Sequence, residues 1–452
     1  MSLSAGLRWD LNPPPSVSGA QDYTYSGNLA LPSTVGLAPL GTPLYKTTYT
    51  NFAPRVGVAI TLRNEPGHEL VLRGGGGLFY DTGQSLSHLF GVGYEMGAGY
   101  SRNLKSVVGT PVSFPLPLSV INAPAPAPVA PYSLNYTVDR NFFPPSAVQW
   151  SASLEQAFGN VQSLIIGYVG SEGRNLTRWT KYNYGALNPS FASFNALTNG
   201  PGSSYNSLQV QYKRRALRNV QVQAAYTWSH AIDWASTDYY GGLPLQRGNS
   251  DQDVRNNFSA ALVYNLPTQY AERWMKTTLS GWAVDMRSFA RTGFPVQLQG
   301  ANLTDPISGE TYSGRLDYNG GNPYVNKAAI PGGRQFNPSV FSVPTIVGGT
   351  GNSPRNFLRG FGAASTDVAI ERVLPLYERF NLRFRAESFN IFNHPNFGAL
   401  NVTCGTSTAG AQCNNTILGQ ASNTLSDALG GLASIYQQGG PRSLQFALKL
   451  QF

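Results

Sequence analysis

The C-terminal segment of this 452-residue chain, Arg442-Ser443-Leu444-Gln445-Phe446-Ala447-Leu448-Lys449-Leu450-Gln451-Phe452, decides the fold. Its large apolar side chains occupy every second position and alternate with polar or small ones. Successive side chains of a strand point to opposite faces, whereas at helical spacing these apolar residues would surround the axis. The segment therefore predicts a strand with one apolar and one polar face. Its apolar row consists of Leu444, Phe446, Leu448, Leu450 and Phe452.

The same two-residue period recurs along the whole chain and predicts about twelve strands. The segments that carry it are 3–9, 56–62, 70–80, 148–154, 163–169, 208–213, 220–229, 258–266, 282–287, 367–371, 382–387 and 444–452.

Charged residues in these segments fall opposite the apolar row. Arg or Lys facing the middle of a bilayer costs about 2–4 kcal/mol, so this parity is expected of a sheet that spans a membrane. A soluble sandwich also alternates, so the period alone does not separate the two architectures. If the sheet spans a membrane, the residues expected to face the lumen are Arg55, Asp285, Arg287, Arg383, Arg385 and Glu387.

The lengths of the connections favour the membrane architecture, because long and short connections alternate strictly. The long ones are rich in Pro, Gly, Asn and Ser and cover 11–51, 81–147, 171–205, 232–256, 292–364 and 392–441. The short ones lie near 64–68, 158–160, 216–219, 267–278 and 373–379. Transmembrane barrels have long outer loops and short periplasmic turns, so we predict an all-β, antiparallel transmembrane β-barrel whose first and last strands meet the periplasm.

Composition agrees with this fold class. Charged residues are 12% of the chain, against about a quarter in ordinary soluble proteins, and aromatic residues are another 12%. The formal charge is +9, but the basic residues are scattered, so nucleic acid is not expected as a partner. The sequence has neither an apolar run long enough for a transmembrane helix nor the N-terminal pattern of a signal peptide.

Signals for chemistry are weak, and neither an enzyme activity nor a cofactor is predicted. The chain has no Gly-x-Ser-x-Gly elbow, no His-Glu-x-x-His pair and no P-loop. Asn249, Asp251 and Asp253 have the spacing that opens a calcium loop, but the turn glycine and the closing Glu are missing. Cys404 and Cys413 lie close together in a Gly/Thr/Asn-rich stretch, which favours a surface-loop disulfide over a metal site.

Several stretches carry a resemblance to a known family. They are Arg73 to Asp81, Tyr226 to Asp233, Ser250-Asp251-Gln252-Asp253-Val254-Arg255, Arg359-Gly360-Phe361-Gly362, and Leu382 to Gly398 with its Phe389-Asn390-Ile391-Phe392-Asn393-His394-Pro395 run. These stretches resemble the C-terminal barrel of TonB-dependent receptors, most closely the Oar-like group common in acidobacteria. The resemblance implies a 22-strand outer-membrane barrel with an N-terminal plug, energised by the TonB complex through a TonB box. It also implies that the apolar row of the last strand is the signal for the barrel-assembly machinery.

On this resemblance, residues 1–452 are expected to be the C-terminal portion of such a barrel. The signal peptide, Ig-like domain, TonB box, plug and first half of the barrel are expected to be absent. The TonB complex would then act only through that missing part. The expected location is the bacterial outer membrane, with membrane lipid as a partner. The expected function is binding and uptake of a carbohydrate, peptide or metal chelate.

Three alternatives stay open at this point. The first is a self-closed, porin-like channel of about twelve strands, because an even strand number with both ends on one side permits closure. The second is a secreted β-rich adhesin that binds glycans with its long loops. The third is an inactive gene remnant.

Overall fold

A computed structural model of the protein describes residues 1–15, 24–81, 115, 130–132, 136–191, 193–217, 219–234, 245–267, 274, 278–304, 311–345, 350–377, 379–425 and 440–452. Its main element is one antiparallel sheet of twelve strands, hydrogen-bonded in the order in which they follow along the chain. In chain order they are β1 (Ser2–Trp9), β2 (Phe52–Arg63), β3 (Leu70–Tyr80), β4 (Ser146–Phe158), β5 (Gln162–Arg174), β6 (Ser203–Leu217), β7 (Val220–Asp233), β8 (Asn256–Asn265), β9 (Trp282–Arg291), β10 (Ala363–Tyr377), β11 (Phe380–Phe389) and β12 (Ser443–Gln451). A two-residue strand, Gly248–Asn249, also pairs with the end of β7.

The predicted alternation of long and short connections is confirmed. Because neighbouring strands are antiparallel, all long connections leave and re-enter the sheet at one end, here called the loop end, and all short ones at the other, the turn end. The large all-β antiparallel sheet predicted from the sequence is thus confirmed. Among the described residues, no helix has the length and hydropathy of a membrane span.

The strand register keeps the two faces separate across the whole sheet. Ile166, Val210, Tyr226 and Phe258 are successive register partners on the apolar face. Gly167, Gln209, Thr227 and Asn257 are their counterparts on the polar face. Since side chains alternate along each strand, this register extends the sequence pattern from single strands to a two-faced sheet.

Four charged residues of the observed strands share the parity of the apolar side chains, and all of them lie beyond the segments in which the sequence placed charges opposite that row. They are Glu172 and Arg174 at the loop end of β5, Arg214 of β6 and Arg372 of β10. Arg214 and Arg372 lie near the turn end of their strands, and the Arg372 guanidinium lies over the Trp282 ring, 5.2 Å from its centroid. A long side chain near a strand end can rest its stem on apolar surface and turn its charge outward.

The sheet has two edges. Within the described residues, β1 pairs only with β2 and β12 pairs only with β11. All eight residues of β1 are exposed, on both faces. An edge strand of this kind offers unpaired backbone N–H and C=O groups to another strand.

The buried residues belong mainly to the long connections, which pack into two clusters at the loop end. The first loop cluster joins connections 10–51 and 175–202 and consists of Tyr25, Leu29, Val35, Tyr184, Phe191, Phe194 and Ala196. The second loop cluster joins connections 292–362 and 390–442 and consists of Leu298, Leu316, Phe336, Phe341, Val343, Leu358, Cys404, Cys413 and Leu418. Short sheets support them, among them the three strands Tyr136–Val138, Thr177–Asn183 and Ser193–Asn199.

Candidate functional site

All six residues predicted to face the lumen lie on the polar face of the sheet. The register aligns Arg55 of β2 with Gly77, and on the far side of the sheet it aligns Arg287 with Asp367. Arg383, Arg385 and Glu387 alternate along β11, and Asp285 has the same parity on β9. The structure thus gathers on one surface residues that are far apart in sequence.

Four of the six come together in one ionic cluster near the turn end. Arg385 donates from Nη1 to Asp285 Oδ2 at 2.6 Å and from Nη2 to Glu387 Oε1 at 2.6 Å. Glu371 of β10, which the sequence analysis did not select, completes the cluster. Its carboxylate accepts from Arg385 Nη1 at 3.3 Å and lies 3.4 Å from Arg383 Nε. Two cations therefore face three carboxylates, all of them partly exposed.

The other two predicted residues are not part of this cluster. Arg55 lies over the Phe79 ring at 4.4 Å, far across the sheet on β2. Arg287 is exposed and faces Ala261 and Asp367 in the register.

Between these charged regions, the polar face carries a neutral groove. It has a volume of about 330 Å³ and runs over β4 to β7. Gly167 lies in the register between Ser153 and Gln209, and its missing side chain leaves the space open. The groove is lined by hydroxyl and amide groups of Ser151, Ser153, Gln209, Gln211 and Thr227. Such groups can exchange hydrogen bonds with a polar solute without selecting a charge.

The predicted assembly residues form the apolar row of β12. The register places Leu444, Phe446, Leu448 and Leu450 beside Ser388, Ala386, Phe384 and Leu382 of β11. Phe452, just beyond the strand, contacts the Phe380 ring at 6.2 Å between centroids. The side chain of Phe446 is 68% exposed in the isolated chain, so the row needs a non-aqueous neighbour to be covered.

A buried ionic network lies at the loop end, and the sequence analysis did not predict it. Asp253 is fully buried, accepts from the Ala231 backbone N–H at 2.6 Å and pairs with both Arg255 and Arg359. Arg355 is also buried and donates to the Asp233 carboxylate at 2.6 Å. The network ties the end of β7 to connections 234–255 and 292–362.

The network explains the acidic spacing that resembled a calcium loop. Asp253 pairs with arginines, and Asp251 Oδ1 accepts from Asn356 Nδ2 at 2.5 Å. Within the part of the chain that the structure describes, no group of three or more His, Cys, Asp or Glu side chains could hold a metal ion. The signal available in the sequence was the recurrence of Arg and Asp in Ser250–Arg255 and at Arg359, but their partners were not readable from it.

The two cysteines form a disulfide bond, Cys404–Cys413, inside the second loop cluster. It closes a short loop whose backbone also hydrogen-bonds to neighbouring connections, as in Cys413 N to Phe341 O at 2.9 Å. The sequence expectation placed these cysteines in a surface loop, whereas both side chains are buried.

The first loop cluster carries the strongest electrostatic effect outside the sheet. Burial raises the pKa of Tyr25 and of Tyr184 far above the usual tyrosine value. Both hydroxyls are hydrogen-bonded, since Tyr25 accepts from the Arg140 backbone N–H at 3.1 Å and Tyr184 donates to Leu29 O at 2.7 Å. The cluster therefore favours the neutral form of both tyrosines.

Solved structures of bacterial transporters and receptors are similar to this chain over part of their own length. The FrpB iron transporter from Neisseria meningitidis matches with 9% identity and a TM-score of 0.40, over 77% of this chain and 36% of that one. The outer membrane transporter YddB from Escherichia coli matches with 9% identity and a TM-score of 0.44, over 90% and 41%. The ferric-catecholate import receptor Fiu from E. coli matches with 10% identity and a TM-score of 0.42, over 99% and 42%.

The chain spans less than half of the length of these solved structures. No curated protein sequence matches it. A family model described as an outer membrane beta barrel domain matches residues 1–439, nearly the whole chain. The chain therefore belongs to the family of outer membrane beta barrel domains and is a protein of the bacterial outer membrane.

Proposed function

We propose that the chain is the C-terminal barrel portion of a TonB-dependent, Oar-like receptor that binds a small ligand and takes it up through the barrel. The observation that carries the proposal is the two-faced sheet, in which the charged clusters lie on one face of twelve paired strands. On this proposal the apolar face contacts lipid and the polar face lines the lumen. Family membership and the motifs from Arg73 to Gly398 support the assignment.

The two free edges call for further strands. Unpaired backbone groups in hydrocarbon are costly, so β1 and β12 need partners in the membrane. We propose that additional strands of a 22-strand barrel pair with both edges. The even strand number, with both ends of the sheet at the turn end, also permits direct pairing of β1 with β12. That observation keeps a self-closed, porin-like channel as the second candidate.

The ligand would meet two different surfaces on its way. The packed loop clusters form the outer binding surface, and the neutral groove and the ionic cluster lie on the proposed path. Hydroxyl and amide groups suit a carbohydrate or a peptide, and the arginines suit an anionic chelate. Carbohydrates, peptides and metal chelates are therefore the ligand classes that we propose to screen.

Cysteine labelling tests the proposed orientation of the faces. The chain has two cysteines and both are in the disulfide bond, so a single new thiol is the sole reactive one. Gln209 and Val210 are neighbours on opposite faces of β6. In lipid vesicles we expect Gln209→Cys to react with a charged maleimide, and Val210→Cys to react only after detergent is added. Equal reaction of both thiols, or a chain that stays out of the membrane fraction, would reject the proposal in favour of the soluble adhesin.

Extraction from the outer membrane separates the two barrel candidates. A receptor portion is expected to leave the membrane together with a further polypeptide that supplies strands. A self-closed channel is expected to run as a 48.7 kDa monomer and to conduct ions in a planar bilayer. A conducting monomer would therefore overturn the receptor proposal.

A further inference from the structure

A pocket lies on the apolar face of the sheet at its loop end. Its volume is about 650 Å³, within the range of small-ligand sites. The floor is one row of register partners, Tyr226, Phe258, Ala290 and Ala364, which crosses four strands from β7 to β10. The two alanines leave a depression beside the rings of Tyr226 and Phe258.

The roof comes from two loops that the sequence analysis singled out only by resemblance. Phe361 and Phe397 line the pocket and contact each other with their ring centroids 4.8 Å apart. Gly332 lies against the Phe361 ring with a φ of +79°, and any side chain there would strike the ring. Pro395 completes the apolar lining. The pocket is thus a shaped cavity rather than a gap between strands.

A buried asparagine fixes the roof to the floor. Asn396 is fully buried; its Nδ2 donates to Ala364 O at 3.0 Å, and its Oδ1 accepts from Ala364 N at 2.7 Å. Asn390 and Asn393 have positive φ values of 46° and 50°, which give the chain the tight bend before it. The Phe389–Phe397 motif therefore has a local task, which is to hold a lid over Ala364.

The rim of the pocket is polar and basic. Arg291 has the register parity of the polar face, opposite Asn257, but it is the last residue of β9 and lines the pocket at the end of the sheet, as do Thr292, Asn256 and His394. Within the described residues, the Arg291 guanidinium makes a single hydrogen bond, to Thr292 O at 3.4 Å, and lies over the Phe294 ring at 4.3 Å. It therefore keeps N–H groups for an anion.

We propose that this pocket binds one acyl chain of a phosphate-bearing membrane lipid, with the phosphate at Arg291 and His394. The pocket opens on the apolar face, which on the proposed orientation of the sheet contacts lipid. An apolar cavity with a cationic rim matches a molecule that has a hydrocarbon tail and an anionic head. The inference rests on the proposed orientation of the two faces, and it holds whether or not the chain takes up a ligand.

Lipid retention tests the site. The full chain is reconstituted in bilayers of phosphatidylglycerol and the phosphate-free, neutral digalactosyldiacylglycerol in equal amounts, extracted into mild detergent and weighed by native mass spectrometry. We expect one phosphatidylglycerol per chain, about tenfold more than the galactolipid, which is the ratio for one charge-assisted hydrogen bond to the phosphate. Ala290→Trp fills the pocket and is expected to abolish retention. Arg291→Gln is expected to remove the preference for the anionic lipid.

Ala386→Trp is the matched control, because Ala386 lies on the same apolar face, between Ile370 and Phe446, outside the pocket. It is expected to retain lipid as the wild type does. A heat-induced shift in gel mobility shows that each variant is folded. Undiminished retention by folded Ala290→Trp overturns the proposal. So does equal retention of the two lipids by the wild type.

Discussion

Arg385 of β11 bonds to Asp285 of β9 across the intervening strand β10, with Nη1 2.6 Å from Oδ2. In the register Asp285 is the partner of Ala369 and Arg385 is the partner of Glu371, so the contact runs diagonally over β10, beside the small Ala369 side chain. The same guanidinium also binds Glu371 and Glu387, so one cation links three neighbouring strands. Arg385 is thus the centre of the ionic cluster on the polar face.

Replacing this cation should destabilise the sheet. Arg385→Met leaves Asp285, Glu371 and Glu387 close together without their shared partner. For a partly exposed cluster we expect a loss of about 1–2 kcal/mol in the free energy of unfolding, between the values for surface and buried pairs. Urea unfolding in lipid vesicles measures it. Arg287→Met is the control, because Arg287 is exposed on the same face, and its change should stay within about 0.5 kcal/mol. Equal effects of the two variants would refute the central role of Arg385.

Breaking the buried pair Asp253–Arg359 should destabilise the protein more than replacing Arg385 does. The destabilisation should be confined to the loop end. Asp253→Asn leaves the Arg359 and Arg255 charges without their buried carboxylate, and breaking such a pair costs about 3–5 kcal/mol. We expect proteases to cut connections 234–255 and 292–362 faster while the sheet keeps its heat-induced gel shift. Glu65→Gln, at an exposed carboxylate of the turn end, is the control.

A double-mutant cycle checks that the two side chains act together. Asp253→Asn combined with Arg359→Met should lower the stability of the loop end by less than the sum of the two single changes, because each single change already breaks the same contact. Additive effects would mean that the pair is not coupled, and would contradict the role assigned to it.

The first loop cluster should open at alkaline pH. In an unfolded cluster the Tyr25 hydroxyl ionises at its ordinary pKa of about 10, whereas burial raises the pKa of the folded group. The stability that the neutral, buried Tyr25 hydroxyl contributes is therefore fully present below pH about 10. It is lost as the pH rises toward the raised pKa, by about 1.4 kcal/mol per pH unit. At neutral pH, Tyr25→Phe should lower the stability of the cluster by about 1 kcal/mol, because it removes the hydrogen bond from the Arg140 backbone N–H. At alkaline pH, the variant should stay folded better than the wild type, because it has no hydroxyl to ionise.

Protease resistance of connections 10–51 and 175–202 between pH 8 and 12 measures this effect. Tyr49→Phe is the control, since Tyr49 is 63% exposed and lies outside the buried cluster. If Tyr25→Phe and Tyr49→Phe follow the same pH profile, the burial of Tyr25 is not the cause of alkaline opening.

The sequence predicted the sheet well because its signal is local. A period of two residues is visible within each strand, and turn-forming residues separate the strands without reference to distant parts of the chain. The loop-end contacts are non-local. Arg355 donates to Asp233 across 122 residues, and no local pattern announces such a pair. For the same reason Asp251 and Asp253 resembled a calcium loop until Asn356, Arg255 and Arg359 were found beside them.

The disulfide bond should stabilise the second loop cluster but not the sheet. A bridge over a loop of this length contributes about 2–3 kcal/mol by restricting the unfolded chain. Replacing Cys404 and Cys413 together by Ser should therefore speed proteolysis of connections 292–362 and 390–442. The double replacement should leave the urea midpoint of the sheet unchanged. A reductant should reproduce the effect in the wild type and add nothing in the double variant.

The apolar row of β12 gives the most direct test of the membrane orientation. Phe446 lies near the middle of β12 and, on our proposal, faces the centre of the bilayer, whereas its neighbour Gln445 faces the lumen. Phe446→Lys should then lower the free energy of unfolding in lipid vesicles by about 2–4 kcal/mol, whereas Gln445→Lys should leave it almost unchanged. The two variants have the same net charge and adjacent positions, so a difference between them reports the face alone. Equal stabilities in urea would mean that β12 does not separate lipid from water. Because the apolar row is also the proposed assembly signal, Phe446→Lys should further lower the amount of chain in the outer-membrane fraction, and Gln445→Lys should not.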